Sequence, residues 1–126
     1  MSLVHDSALS NRVIGLAIEV HRQLGPGLLE SVYETCLCYE LKESGLAYDR
    51  QTPLPITYKT IKLDAGFRMD VVVNEELVVE VKSVDRLMAI HEAQMMTYLR
   101  LSSKRVGLLM NFNTVVLKDG LKRIVM

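Results

Sequence analysis

Two apolar runs separated by three polar residues constrain the fold of this chain more than any other feature. The runs are 67–73 and 77–84, and Asn74, Glu75 and Glu76 lie between them. Valine-rich runs with a short polar interruption are typical of two antiparallel strands joined by a turn. We therefore predict a β-hairpin, in which Val73 pairs with Leu77 if the loop has three residues.

This register divides the side chains of the hairpin between two faces, because successive residues of a strand point to opposite sides. One face is entirely apolar, and the other combines two valines with three charged residues. A slip of one residue would mix the two sets, so the hydrophobic pattern itself supports the register. The apolar face comprises Val71, Val73, Leu77, Val79 and Val81, and the mixed face comprises Asp70, Val72, Val78, Glu80 and Lys82.

The predicted pairing of Asp70 with Glu80 is unfavourable unless something offsets it. Like charges opposite each other on neighbouring strands are destabilising, and more so where valines exclude water. A divalent cation would remove the repulsion, since oxygen ligands from two carboxylates suit Mg²⁺. Alternatively, Lys82 forms a surface ion pair with Asp70 or Glu80, and the hairpin alone does not decide between these interpretations.

The rest of the chain predicts helices on both sides of the hairpin. Residues 13–24 and 28–42 have helical periodicity, and Gly25-Pro26-Gly27 separates the two segments. The apolar stripe of the second helix is predicted to comprise Leu29, Val32, Tyr33, Cys36, Leu37 and Leu41. A third helix is predicted over 87–101.

Further strands are predicted before the hairpin and after the third helix. One irregular strand covers 48–63, where two prolines interrupt the pattern, and a buried strand covers 105–112. Segments 115–117 and 121–126 are predicted to form a short terminal hairpin. The resulting order, ααβββαβββ, predicts a mixed α/β or α+β layer fold with helices packed on a central sheet.

The composition predicts one globular domain spanning residues 1–126. Hydrophobic residues make up 49% and charged residues 24% of the chain, which excludes a disordered tail. No apolar run approaches the ~20 residues that span a membrane, and no secretory signal is recognisable. Cys36 and Cys38 lack the spacing of a zinc or redox motif. We therefore expect a cytoplasmic protein with reduced cysteines and no membrane partner.

The charge balance bears on the class of partner. The 15 basic and 15 acidic residues give a formal net charge of zero, whereas nonspecific nucleic-acid binders usually have a basic excess. Zero net charge does not exclude a nuclease, because a metal site requires its own acidic residues.

Two pairs of residues outside the hairpin have spacings that place them on one helix face. Glu30 and Tyr33 are three apart, and Gln94 and Tyr98 are four apart. An amide and a phenol on one face can hold a backbone phosphate or orient an acidic ligand. Structural explanations also remain open: a first-turn carboxylate favoured by the helix dipole for Glu30, and a solvent-facing amide beside a core-edge tyrosine for Gln94 and Tyr98.

In combination, these residues resemble the PD-(D/E)XK nuclease superfamily. Asp70 with Glu80-Val81-Lys82 is similar to its central motif, and Gln94-x-x-x-Tyr98 to the Q-x-x-x-Y element of its RecB-like branch. The stretch Gly27-Leu28-Leu29-Glu30-Ser31-Val32-Tyr33 resembles the signature of the small GxxExxY family. Further matching stretches cover nearly the whole chain in order: 20–27, Arg50-Gln51, 66–70, 93–99 and Asn111-Phe112.

The resemblance implies a restriction-endonuclease-like core, in which a mixed central β-sheet is flanked by α-helices and the metal lies at the hairpin. It implies Mg²⁺ or Mn²⁺ as the cofactor. The implied metal ligands are Asp70, Glu80, the main-chain carbonyl of Val81, and Glu30. Lys82 is implied as the catalytic lysine beside Asp70, Glu80 and Glu30, and the implied substrate-binding residues are Gln94, Tyr98 and Tyr33.

The expected function is metal-dependent hydrolysis of phosphodiester bonds in nucleic acid, with DNA favoured over RNA. The alternative is a nuclease-fold module that binds nucleic acid or a protein partner without cleaving, which zero net charge and small size slightly favour. The oligomeric state stays open, with a homodimer as one form that would let so small a nuclease surround a duplex.

Overall fold

The fold is a five-stranded sheet with helices on both faces. The computed structural model describes residues 2–64 and 66–126, with side chains from residue 8 onward. Its elements, in chain order, are α1 (Ser2–Leu24), α2 (Glu30–Glu43), β1 (Tyr48–Pro53), β2 (Ile56–Tyr58), β3 (Ile61–Leu63), β4 (Arg68–Val73), β5 (Leu77–Lys82), α3 (Ala89–Ser102), β6 (Val106–Asn111), a short 3₁₀ helix (Leu117–Gly120) and β7 (Leu121–Val125). No helix in these described ranges is long and apolar enough to cross a membrane.

The strand order of the main sheet is β1-β4-β5-β6-β7. Strands β5 and β6 are parallel and are connected through α3, while the other neighbouring pairs are antiparallel. Parallel neighbours require such a crossover, because the chain must return to the same end of the sheet. Strands β2 and β3 form a separate two-stranded sheet. The predicted fold class, a mixed central sheet flanked by helices, is confirmed.

The predicted register of the central hairpin is also confirmed. Val73 pairs with Leu77, and Val71 pairs with Val79, so the loop has three residues. The five residues predicted for the apolar face all belong to the core cluster that α1 and α2 cover. On the opposite face, Val72 and Val78 pack in the second cluster, which contains α3 residues. The hairpin therefore separates the two core layers as its sequence pattern predicts.

The face of α2 that packs on the sheet differs from the predicted stripe. Leu29 and Val32 are exposed, whereas Glu34 and Cys38 are buried. The reason is a contact that the periodicity of the helix does not encode: Glu34 accepts hydrogen bonds from two residues of β1, which turns this carboxylate toward the sheet. Helix α1 ends at Leu24 as predicted.

Two strand predictions are wrong. Segment 48–63 is not one irregular strand, since β1 ends at Pro53 and residues 56–63 form the separate β2–β3 hairpin. Residues 115–117 do not form a strand, and β7 pairs with β6 instead. A 3₁₀ helix fills this connection, and its Gly120 lies so close to the Asn111 carbonyl that a β-carbon would stand 2.2 Å from the oxygen. This close approach places the connection against the end of β6.

Candidate functional site

The carboxylates of Asp70 and Glu80 lie side by side at the end of the sheet where β4 begins and β5 ends. The main-chain N–H of Asp70 donates to Glu80 Oε2 at 3.0 Å, and the N–H of Val81 donates to Asp70 Oδ2 at 2.8 Å. The paired residues of β4 and β5 stop at Val71 and Val79. Each carboxylate therefore accepts an N–H group from the opposite strand just beyond the regular ladder, which fixes both side chains.

Burial makes the ionised forms of these carboxylates costly. Glu80 is only 5% exposed, and its burial, with the charge of Asp70 as the second cause, raises its pKa to about 8. The pKa of Asp70 is also raised, again chiefly by burial, although the hydrogen bond from Val81 opposes the shift. A cation bound between the two carboxyl groups would favour their ionised forms, because an adjacent opposite charge lowers the pKa of each.

Lys82 lies two residues beyond Glu80 on the same strand face and is half-buried. Its positive charge lowers the pKa of both carboxyl groups. Within the described part of the chain, Lys82 forms no ion pair with either of them. The alternative of a surface ion pair is therefore not supported, because Glu80 is buried and Lys82 is not paired with the half-buried Asp70.

Helix α3 brings Gln94 and Tyr98 to the same site. The Gln94 amide donates to the Tyr98 hydroxyl at 3.3 Å, so the two residues form one polar unit across a helical turn. Burial raises the pKa of Tyr98, and the charges of Glu80 and Asp70 raise it further. The phenol therefore remains protonated beside the carboxylates and is available as a hydrogen-bond donor.

Glu30 contacts the end of β5 rather than the two carboxylates. Its Oε2 accepts the N–H of Ser83 at 3.1 Å, and the Ser83 hydroxyl donates to the Leu28 carbonyl at 2.7 Å. As the first residue of α2 it also lies where the helix dipole favours a negative charge. Glu30 thus ties the start of α2 to the residue that follows Lys82.

The acidic residue of α2 that acts on Asp70 and Glu80 is Glu34, which the sequence analysis missed. Its charge raises the pKa of both. Glu34 accepts hydrogen bonds from Arg50 Nε at 2.5 Å and from Gln51 Nε2 at 3.0 Å. The same Gln51 nitrogen lies 3.5 Å from Asp70 Oδ1.

A sequence signal for Glu34 existed, because it lies four residues after Glu30 and so shares its helix face. Its burial nevertheless depends on Arg50 and Gln51 from a distant strand. Gln51 adopts a φ of +55°, a backbone conformation that is uncommon for residues other than glycine. Position 51 is therefore a distorted point in β1, beside Asp70.

The half-buried Asp70, the buried Glu80, the following lysine and the Gln–Tyr pair on the crossover helix thus form one polar site. The model of the PD-(D/E)XK nuclease superfamily matches residues 7–124. The chain belongs to this superfamily. No curated protein and no solved structure matched it.

Divalent metals are the usual cofactors of PD-(D/E)XK nucleases, and the donor set of this member fits such an ion. Two carboxylate side chains suit Mg²⁺, which usually keeps several waters and binds through one or two carboxylates plus substrate phosphates. Because burial and the charge of Asp70 raise the pKa of Glu80 to about 8, a cation bound beside it would favour its ionised form at neutral pH. Among the described residues, no three His, Cys, Asp or Glu side chains come together around one position. The implied acidic cluster that includes Glu30 is therefore not assembled.

Tyr33 of this PD-(D/E)XK protein lies inside the core. Its ring is fully buried and stacks on Phe112, with centroids 4.5 Å apart. Its hydroxyl donates to the Gly25 carbonyl at 2.6 Å and accepts the N–H of Leu28 at 3.1 Å. A substrate contact does not fit this burial, since both the ring and the hydroxyl are occupied in holding the α1–α2 connection.

Asn111 fixes the segment that follows Lys82. Its Oδ1 accepts the N–H of Val84 at 3.0 Å, and its Nδ2 donates to the Val84 carbonyl at 2.9 Å. Asn111 is buried at the end of β6, next to β5. Together with the Glu30–Ser83 contact, this pair of bonds holds the chain on the C-terminal side of the lysine.

Proposed function

We propose that this chain is a metal-dependent nuclease that hydrolyses phosphodiester bonds in DNA, and that it belongs to the GxxExxY branch of its superfamily. The observation that carries the proposal is the pairing of the half-buried Asp70 with the buried Glu80 beside Lys82. Burying an acidic group next to a second one is costly unless a partner neutralises the charge. A bound metal ion would offset that cost. Gly27, Glu30 and Tyr33 support the branch assignment.

Asp70 and Glu80 would hold Mg²⁺ or Mn²⁺, with the main-chain carbonyl of Val81 as a third ligand. A bound divalent ion polarises a phosphoryl oxygen and lowers the pKa of water. The chain's own contribution is to present both carboxylates in a fixed geometry, since the N–H groups of Asp70 and Val81 hold one oxygen of each.

Lys82 would act on the phosphate, because its ammonium lies on the same strand face as the carboxylates and is not held in an ion pair with them. A positive group placed where negative charge develops stabilises the transition state. The Tyr98 hydroxyl and the Gln94 amide would donate hydrogen bonds to the phosphate backbone and orient it over the site. Exclusion of water by α3 would strengthen each of these interactions.

Glu30 and Glu34 would be positioning residues. Glu30 holds the chain at Ser83, directly after Lys82, and Glu34 holds Gln51 next to Asp70. Their carboxylates increase the negative charge near the metal without being required as ligands.

The test is cleavage of labelled single-stranded and duplex DNA and RNA in Mg²⁺ and in Mn²⁺. Wild-type protein is expected to cleave, with DNA preferred, and Asp70→Ala and Glu80→Ala are expected to be inactive. Glu76→Gln is a matched control, because Glu76 lies in the loop at the opposite end of the same hairpin and is exposed. Unchanged cleavage by both Asp70→Ala and Glu80→Ala would contradict the proposal, because the activity would then come from a contaminant or from another site.

A second candidate is a nuclease-fold module that binds nucleic acid or a protein without cleaving it, and zero net charge favours this candidate. Retained binding with no cleavage by wild type under either metal would decide for it. We further propose action in the cytoplasm, which the two free cysteines favour. A homodimer would let the chain surround a duplex, and light scattering of the purified protein tests that arrangement.

A further inference from the structure

The β2–β3 hairpin presents an apolar face that no other strand of the described residues covers. Its paired residues are Ile56 with Leu63 and Tyr58 with Ile61. Because directly paired residues share a face, these four side chains lie on the same side of the hairpin. Ile56 is half-buried, while the other three are exposed. An isolated two-stranded hairpin is marginally stable in water, so this exposed apolar face has a cost that binding could offset.

The hairpin is also locally basic in a chain of zero net charge. Residues 56–68 contain the cations Lys59, Lys62 and Arg68 and the single anion Asp64, a net charge of +2. The Lys59 ammonium lies 5.4 Å from the centroid of the Tyr58 ring. An exposed aromatic ring with a cation next to it suits a nucleotide. The base can stack on the ring, and the phosphate can pair with the cation.

The position of the hairpin connects it with the candidate site. Its base is closed by the pairing of Pro53 with Arg68 and by the N–H of Leu54, which donates to the Phe67 carbonyl at 3.0 Å. Arg68 precedes Asp70 by two residues, about 7 Å along a strand. Leu54 packs in the same core cluster as Tyr98. The hairpin therefore extends from the end of the sheet that carries the carboxylates.

We propose that the β2–β3 hairpin is a binding arm for single-stranded nucleic acid, on which an unpaired base stacks against Tyr58 while Lys59, which lies beside the ring, contacts the adjacent phosphate. This inference rests on the proposed function, since a strand held on the arm would lead to Asp70 and Glu80. An unpaired base is required because the bases of a duplex do not expose their faces. Charge complementarity favours a polyanion over an apolar protein surface as the occupant.

The experiment measures the affinity of labelled single strands by fluorescence anisotropy in EDTA, so that binding is separated from cleavage. Tyr58→Ala is expected to weaken binding at least about fivefold, since one stacked base contributes about 1–3 kcal/mol, and Tyr58→Phe is expected to bind as wild type does. Tyr39→Ala is the matched control, because Tyr39 on α2 is 61% exposed and Tyr58 is 60% exposed. It should leave the affinity unchanged.

The electrostatic part is tested by Lys59→Ala. It should reduce the slope of log affinity against log salt by about 0.7, because one phosphate contact on a single strand is lost. Substitution of the exposed Lys118 is the control and should not change the slope. The melting temperatures of all variants should equal that of wild type, since the substituted side chains are exposed.

Three results would overturn the inference: equal affinity of Tyr58→Ala and wild type, equal loss in Tyr58→Ala and Tyr39→Ala, or equal binding of a single strand and its duplex. A change of oligomeric state in Tyr58→Ala with unchanged affinity would assign the face to a second copy of the chain instead. These results are independent of the proposed function. If the protein binds single strands through Tyr58 but never cleaves them, the binding arm is supported and the nuclease function is contradicted. If the protein cleaves and Tyr58→Ala binds as wild type does, the nuclease function is supported and the binding arm is contradicted.

Discussion

The main-chain N–H of Asp70 donates to the carboxylate of Glu80 at 3.0 Å across the β4–β5 pair. This bond places two acidic groups together in a region where Glu80 is almost completely buried. The stability of the folded chain therefore depends on the protonation of its own candidate site. Several consequences can be measured without a substrate.

Stability should fall as the pH rises from about 5 to 8. The folded-state pKa of Glu80 is about 8 and its ordinary value is 4.5, so between these values the folded protein holds a proton that the unfolded chain has released. The free energy of unfolding then decreases with pH, and Asp70 contributes in the same direction. Glu80→Gln should flatten this dependence and be more stable than wild type at pH 8, as measured by urea unfolding. An unchanged pH dependence in Glu80→Gln would contradict the assigned burial.

Removing the charge of Glu34 should lower the pKa of Glu80. Glu34 raises that pKa by electrostatic repulsion, so the neutral Glu34→Gln variant lacks this contribution. Carboxyl-carbon NMR titration of Glu80 measures the shift directly. Glu76→Gln removes an equal charge at the far end of the hairpin and should leave the pKa of Glu80 unchanged. Equal shifts in both variants would mean that Glu34 has no special relation to the site.

The two tyrosines predicted to bind substrate should respond differently to loss of their hydroxyl groups. Tyr33→Phe removes two hydrogen bonds to the α1–α2 connection and should cost about 1–3 kcal/mol of stability while leaving the substrate KM unchanged. Tyr98→Phe should leave stability nearly unchanged and reduce cleavage, because its hydroxyl pairs only with Gln94 among the described residues. Unfolding and kinetics on the same two preparations test both statements. If Tyr33→Phe instead reduced cleavage without loss of stability, Tyr33 would be a substrate-binding residue.

Two glycines should differ in their tolerance of a methyl group. At Gly120 a β-carbon would lie 2.2 Å from the main-chain oxygen of Asn111, and at Gly107 it would lie 2.4 Å from the Met95 sulfur. A side chain can shift more easily than a backbone, so Gly120→Ala should be the more destabilising change, with both costing at least about 1 kcal/mol. Urea unfolding gives the comparison. Equal or reversed costs would show that the 3₁₀ helix moves freely away from β6.

The sequence was sufficient for the features that depend on local periodicity. The pairing of Val73 with Leu77 follows from alternation on two short strands, and α1 ends at Leu24, directly before the glycine that follows it. Features that depend on contacts between distant segments were missed. Glu34 is buried because Arg50 and Gln51 bind it, and no periodicity within α2 contains that information.

The same distinction holds at the candidate site. Asp70, Glu80 and Lys82 are close in the hairpin, so their common face could be predicted from alternation. The relation of Glu30 to the end of β5 could not, because it requires the packing of α2 on the sheet. The segment 115–117 has the composition of a strand, but β7 pairs with β6 instead, a contact between distant segments that local composition does not contain.

The most direct test of the account is calorimetric titration of wild-type protein with Mn²⁺ at pH 7 in buffers of different ionisation enthalpy. The raised pKa of Glu80, about 8, favours its protonated form at this pH, and a ligand carboxyl must lose its proton when a metal binds. We expect Mn²⁺ to bind with release of about one proton, and we expect Asp70→Asn but not Glu76→Gln to lose this binding. Equal binding by Asp70→Asn and wild type would contradict the assignment of Asp70 and Glu80 as the metal site, and binding without proton release would contradict the raised pKa of Glu80.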